Sequence, residues 1–205
     1  MSVLMLDVVT SINPPLAHLG TGFVAYFRRR TVLIITNEHV VQGAMFVRVR
    51  LPGGSQQFTG EVLVADNQVD LAIVRLVNVE EPFQPMVFAD VSIDNFPWTA
   101  YAHGYFLVLG APVINPARAP GEINGAFFRN NVHYLQGDFA FRHGMSGGPV
   151  TMGNRVIGVS TAVAWGPSVI ISLHTVHMTL MFWCGLNDGD PTIDEMLEML
   201  AAGAA

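Results

Sequence analysis

Short apolar runs, unbroken or alternating with polar residues, dominate this chain, and helical three-to-four spacing is confined to its end. The runs 22–27 (GFVAYF), 31–36 (TVLIIT), 45–51 (MFVRVRL), 60–65 (GEVLVA) and 71–76 (LAIVRL) are rich in Val and Ile. Gly, Asn, Asp or Arg turns separate them, which predicts strands. FVRVRL alternates and so has one wet face; LPGGSQQF carries the Pro-Gly chemistry of a hairpin connection. These runs form an antiparallel meander. Pro82, Pro85 and Pro97 interrupt the next stretch, which reads as a crossing between two halves. A second set of strands follows at 100–108, 121–129, 132–139, 147–152, 155–163 and 168–176, with a tight turn at 152–155.

Two such groups joined by a crossing predict an all-β fold of two six-stranded antiparallel β-barrels with a C-terminal α-helix. For the helix, Pro191, Thr192 and Glu195 stand in capping-box register. Ile193, Met196, Leu197 and Leu200 form one apolar stripe. The reading is a single domain over 1–205. Its N-terminal barrel covers 18–80, a linker 81–99, the C-terminal barrel 100–180 and the helix 191–202.

Composition narrows the function classes. The 205 residues are 51% hydrophobic and 13% charged, which excludes disorder over most of the length. A net charge of −6 with ten Lys+Arg leaves no basic footprint for nucleic acid. Arg28, Arg29 and Arg30, the one basic cluster, read as a solvated hairpin turn. One cysteine, Cys184, excludes an internal disulfide and favours a reducing compartment. Within LMFWCG it reads as a buried, inert thiol. The N-terminal stretch lacks a basic start and Asp7 breaks its apolar run, so it is a poor signal peptide. The longest apolar region, 169–183, contains His174, His177 and several hydroxyls, unlike a membrane span. The expectation is an intracellular, cytoplasmic protein with no nucleic-acid or membrane partner. Neither a metal-ligand cluster nor a phosphate loop is visible, so no metal and no cofactor is expected.

The chemistry concentrates at 143–150, HGMSGGPV, where Ser146 stands among Gly144, Gly147 and Gly148 before a strand. A neutral serine hydroxyl is a weak nucleophile and needs a base, which in turn needs an orienting partner. His39, in IITNEHVV, sits where a strong strand gives way to one helical turn. The other histidines have bland readings: His18, His103 and His133 in turn-rich or alternating segments, His174 and His177 in an apolar run. Asp70 directly precedes a strand, at a barrel rim, and is preferred to Asp66, which reads as a turn cap. The order His39, Asp70, Ser146, with a glycine-rich loop around the serine, points to nucleophilic acyl transfer. Gly144, Met145 and Ser146 would form the oxyanion hole, the N–H groups of Gly144 and Ser146 being the donors.

Through GTGFVAYF, TNEHVV, VRVRLPGG, DLAIVRL, GMSGGPV and VIGVSTAV the chain resembles the chymotrypsin-like serine proteases, specifically the HtrA/Deg branch and its compact viral relatives. The resemblance covers residues 18–178 and implies perpendicular barrels with a cleft between them, the His and Asp on the first and the Ser on the second. It also implies a pocket for the residue before the scissile bond. Its walls would be drawn from Ala140, Phe141 and His143, from Ser160, Thr161, Ala162 and Val163, and from 169–174, where His174 could reach in.

Departures from the family pattern sharpen this. Met145 replaces the Asp that switches extracellular relatives on. Ala140 and Phe141 supply no carboxylate for Lys or Arg, and Ser160 or Thr161 replaces the His of relatives that prefer Glu or Gln. The expected preference is therefore a small or apolar side chain. The chain ends soon after the second barrel, with no peptide-binding module, which favours a viral polyprotein-processing protease acting on a polypeptide, its own polyprotein included. The alternative is a catalytically silent protease fold that binds or scaffolds. An esterase of the α/β-hydrolase type is disfavoured, because its serine precedes a helix and its triad order differs.

Overall fold

Strands with apolar residues on both faces need a surface to bury each of them. Here six strands close into a barrel, and part of its outer face packs on a second barrel. The computed structural model describes residues 3–10, 17–53, 56–90, 96–161 and 167–203. The first barrel comprises β1 (Val3–Thr10), β2 (Ala17–Arg28), β3 (Thr31–Thr36), β4 (Ala44–Arg50), β5 (Gln57–Asp66) and β6 (Leu71–Leu76), closed in the order β1-β2-β3-β6-β5-β4. One helical turn, α1 (Glu38–Val41), links β3 to β4. Leu4, Leu6, Val32, Ile34 and Val74 fill the interior. Their strand neighbours Val3, Met5, Leu33, Ile35 and Ile73 belong instead to the cluster shared with the second barrel and the helices. Successive side chains on a strand point to opposite faces, so a strand buried on both sides reads as an unbroken apolar run like TVLIIT.

The first barrel therefore starts at Val3 and not near residue 18. The segment read only as a poor signal peptide is β1, paired with both β2 and β4. Asp7 marks its partly exposed face and forms an ion pair with Arg50 of β4.

The second barrel uses β8 (Trp98–Gly104), β11 (Ala117–Arg129), β12 (Val132–Gly137), β13 (Pro149–Met152), β14 (Arg155–Ser160) and β15 (Ser168–Ser172). They run in the order β13-β8-β11-β12-β15-β14, and the β13–β14 pairing closes the ring. Within the crossing, β7 (Val87–Phe88) adds to β14 in parallel; between β8 and β11, β9 (Leu107–Val108) and β10 (Ala111–Pro112) make a small separate ribbon. Met145, Ile123, Leu135, Val150, Ile157 and Ile170 pack its interior.

Two helices follow, one of them unexpected. The strand predicted over 168–176 stops at Ser172, and α2 (Leu173–Trp183) begins there. The Ser172 hydroxyl accepts from the Thr175 N–H at 3.3 Å, capping the helix. Leu173, Val176 and Leu180 are buried on one face. The β-branched residues before the cap give this stretch a strand-like pattern that hides the change of period. The last helix, α3 (Ile193–Gly203), opens on a capping box: Thr192 N donates to Glu195 Oε2 at 2.8 Å, and Glu195 N donates to Thr192 Oγ1 at 3.2 Å. Arg28 and Arg30, in and beside the β2–β3 turn, pair with Glu198 of α3 and with Glu80 at 2.9 and 2.6 Å, so carboxylates occupy this basic cluster. No helix among the described residues is long and apolar enough to cross a membrane.

Candidate active site

The seam between the barrels gathers three chain segments at one edge. The first is α1. Val40 and Val41 are buried and pin this single turn, leaving the His39 side chain 43% exposed. The second is the β5–β6 turn, which ends in Asp70 at a left-handed φ of 57°. The Asn37 side-chain amide donates to the Asp70 carbonyl at 2.9 Å and holds that conformation. Asp66, by contrast, accepts from Gln68 N at 2.8 Å and caps the turn. The third is the loop from Arg142 to Gly148.

His39 and Asp70 are joined three times. His39 Nδ1 lies 2.9 Å from both carboxylate oxygens, and its backbone N–H donates to Oδ1 at 3.0 Å. A carboxylate only accepts, so Nδ1 carries the proton and the Nε2 lone pair is left for another partner. The Thr161 hydroxyl donates to Asp70 Oδ2 at 2.7 Å. The Asp70 hydrogen bond raises the His39 pKa above its ordinary 6.5; burial opposes this, and the Asp70 and Glu38 charges add to it. Burial pushes the Asp70 carboxyl up, but the bonds from His39 and Thr161 outweigh it and hold the group below 3.8.

The serine loop is bent where only glycine fits. Gly147 has φ +84°, and a Cβ there would lie 2.1 Å from the Thr21 carbonyl oxygen; a Cβ on Gly148 would lie 1.9 Å from the His103 carbonyl oxygen. The loop thus rests directly on both barrels. Met145 anchors it: the side chain is 2% exposed and sits in the second barrel's core. Burial on that scale stabilises by roughly 1.5–3 kcal/mol. An apolar anchor thus occupies the position of the charged switch in extracellular relatives.

The groove beside this loop has a volume of about 340 Å³, and both His39 and Ser146 line it. Phe141, His143 and Thr161 line it too, with His18, Leu19 and Arg142 unanticipated from sequence. Several expected site residues lie elsewhere. Ser160 is fully buried, and its one hydroxyl proton is shared between the carbonyls of Met145 and Gly148 at 2.7 and 3.0 Å, so it braces the loop from beneath and is not among the groove-lining residues. His174 is on α2, because the strand ends early; it lines a separate cleft with the start of α3. Ala140 is exposed and outside the groove lining. The Met145 N–H donates to the Arg142 carbonyl at 3.0 Å and is not available to an oxyanion. Among the described residues, the N–H groups of Gly144 and Ser146 have no such carbonyl partner. Ala162 and Val163 lie outside the described residues. His103 is a core residue: its Nε2 lies 2.9 Å from Thr151 Oγ1, and burial pushes its pKa down to about 4. No cluster of three metal-ligating side chains occurs among the described residues.

The trypsin-like peptidase domain matches residues 20–159. The chain is 32% identical over 147 residues to the putative protease Do-like 3, mitochondrial, of Arabidopsis thaliana, covering 69% of this chain and 25% of that one. It is 34% identical over 148 residues to the mitochondrial serine protease HTRA2 of Bos taurus, covering 69% and 31%. A probable periplasmic serine endoprotease, DegP-like, of Chlamydia trachomatis is 28% identical over 169 residues, covering 79% and 32%. The chain thus spans no more than a third of the length of these relatives. The active form of the Rv3671c protease of M. tuberculosis superposes with a TM-score of 0.73 at 23% identity, over 93% of this chain and 83% of that one, which shows the shared fold. These relatives are cellular proteins and give no support to the viral polyprotein reading. The chain belongs to the trypsin-like peptidase family, with serine proteases of the HtrA type among its relatives.

Proposed function

We propose that this chain is a serine endopeptidase in which Ser146, His39 and Asp70 act together. The observation that carries the proposal is the His39–Asp70 pair at 2.9 Å on the wall of the groove that Ser146 also lines. Ser146 Oγ attacks a peptide carbonyl, and His39 Nε2 takes the hydroxyl proton. The carbonyl oxygen becomes an oxyanion that accepts from Gly144 N and Ser146 N. His39 then gives its proton to the leaving amine, which departs as the C–N bond breaks and the acyl-enzyme forms. Water, deprotonated by His39, releases the acid. Asp70 keeps Nδ1 protonated and stabilises the imidazolium throughout. The alternative of a silent binding module is disfavoured by the Gly144 carbonyl, which the Thr21 hydroxyl takes up at 2.7 Å.

Substrates are polypeptides. Phe141, on the groove wall, stacks on the core residue Phe139 at 5.6 Å between centroids, and among the described residues no carboxylate lines the groove. We therefore expect cleavage after small or apolar residues. In a random peptide library read by mass spectrometry, Lys and Arg before the scissile bond should be cut at least about tenfold more slowly, the order of discrimination a mismatched pocket gives. Preferential cleavage after Lys or Arg would overturn that specificity, and an uncut library would overturn the peptidase reading.

A pH profile tests the base. Only neutral His39 accepts the serine proton, so kcat/KM should rise with pH through an inflection above 6.5, because the Asp70 bond raises the His39 pKa. Stability runs the other way. The raised His39 pKa contributes stability fully below 6.5, and this is lost as pH rises through the folded value. The lowered Asp70 pKa contributes above 3.8, and this is lost as pH falls through the folded value. The pair thus stabilises most between these limits, where a protonated His39 keeps the enzyme below its full activity. An inflection in kcat/KM below 6.5 would contradict the assignment.

A further inference from the structure

Gly144 and Ser146 N–H groups can bind an oxyanion only if their peptide planes are held, and Gly144, with φ +99° and no side chain, cannot hold its own. The holding group lies on the opposite barrel. Thr21, in β2, is fully buried. Its hydroxyl accepts from Tyr105 N at 2.9 Å. A backbone N–H can only donate, so the hydroxyl proton goes to the Gly144 carbonyl, 2.7 Å away. The same residue's N–H donates to the Ser146 carbonyl at 2.9 Å, and its own carbonyl accepts from Thr36 Oγ1 at 2.7 Å. One residue of the first barrel therefore grips the carbonyls on both sides of Met145. The gripped planes are the 144–145 and 146–147 peptides, which carry Gly144 Cα and Ser146 Cα, the atoms on which the two oxyanion amides turn. The space is closed: a Cβ on Gly104 would lie 3.0 Å from Thr21 Oγ1 and 2.9 Å from Met145 Cα.

We infer that the Thr21 hydroxyl is a positioning residue for catalysis, holding from across the seam the 144–145 peptide that links the Gly144 and Ser146 amides. The inference rests on the reading of Ser146 as nucleophile. It makes the oxyanion site a joint product of the two barrels: the amides belong to the second, and the peptide between them is held by the first. The backbone grip on Ser146 survives any substitution of Thr21 that spares the strand; the side-chain grip on Gly144 does not.

Thr21→Val keeps the branched shape and removes the hydroxyl. With a fluorogenic peptide that the wild type cleaves, kcat should fall about ten- to a hundredfold, the effect of a small misplacement near the reacting atoms, with KM changed less than about twofold. Labelling by a fluorophosphonate, whose phosphoryl oxygen uses the same amides, should slow by the same factor. Thr21→Ser restores the donor and should recover both rates. A folded Thr21→Val with kcat within about twofold of wild type overturns the inference, as does a folded Thr21→Ser that stays as slow as the valine variant. If Thr21→Val does not fold by circular dichroism, Thr21→Ser still decides between wild-type and impaired turnover. A wild type that the phosphonate never labels overturns the reading of Ser146 itself, a separate result from either variant's.

Discussion

Ser146→Ala is expected to abolish fluorophosphonate labelling and to lower kcat by about a millionfold, to a rate still about a thousandfold above the uncatalysed reaction. Without the hydroxyl no acyl-enzyme forms, and the residual rate comes from binding and the oxyanion amides alone. The fold should not suffer. The backbone contacts of this position persist: Thr21 N still donates to its carbonyl, Gly147 N still donates to Ser160 O at 2.8 Å, and Met145 stays in the core. Ser146 is partly exposed, so the lost hydroxyl leaves no buried group unpaired. The melting temperature should therefore match wild type within experimental scatter. Persistent labelling of the alanine variant would move the nucleophile elsewhere. Equal loss of melting temperature and labelling would mean that the substitution unfolds the loop and reports nothing about chemistry.

The barrels were legible because their strands are short, β-branched and separated by turn residues. β3 and β6 run over 31–36 and 71–76, as their apolar runs indicate. Two elements were hidden. β1 carries Asp7 amid apolar residues, and its partner Arg50 is distant in sequence, so local pattern could not explain the charge. α2 begins on Leu173 after a β-branched strand, and only the Ser172 cap marks the change. At the site, spacing and residue type singled out His39, Asp70 and Ser146, and separated Asp70 from the turn cap Asp66. What spacing could not show was direction. Ser160 and Thr161 are consecutive, yet one braces the loop from within the core and the other bonds Asp70 beside the groove. Ser160 ends β14 and Thr161 is the first residue beyond it. Thr21 had no chemical signature in GTGFV beyond standing between two glycines, and its role depends on contacts across the seam.

Asp70→Asn should lower kcat by about ten-thousandfold while leaving the fold in place. The left-handed φ of 57° at this position is one that asparagine adopts readily, and the Asn37 bond to the carbonyl does not involve the altered group. The damage is electronic. With the remaining carbonyl oxygen kept on His39 N, the new amide NH₂ takes the Oδ2 position, 2.9 Å from Nδ1. An NH₂ donates, so Nδ1 must become the acceptor and the proton moves to Nε2, where it blocks acceptance from Ser146. The imidazolium also loses its counter-charge. The Asp70 bond that raises the His39 pKa disappears while burial, which lowers it, remains, so the acid limb of the residual kcat/KM should move to lower pH. Asp66→Asn is the matched control, since Asp66 caps a turn away from the groove, and its activity should stay within about twofold of wild type. If the two variants lose activity equally, or if Asp70→Asn keeps more than a tenth of wild-type kcat, then His39 takes its orientation from the backbone of α1 and not from the carboxylate.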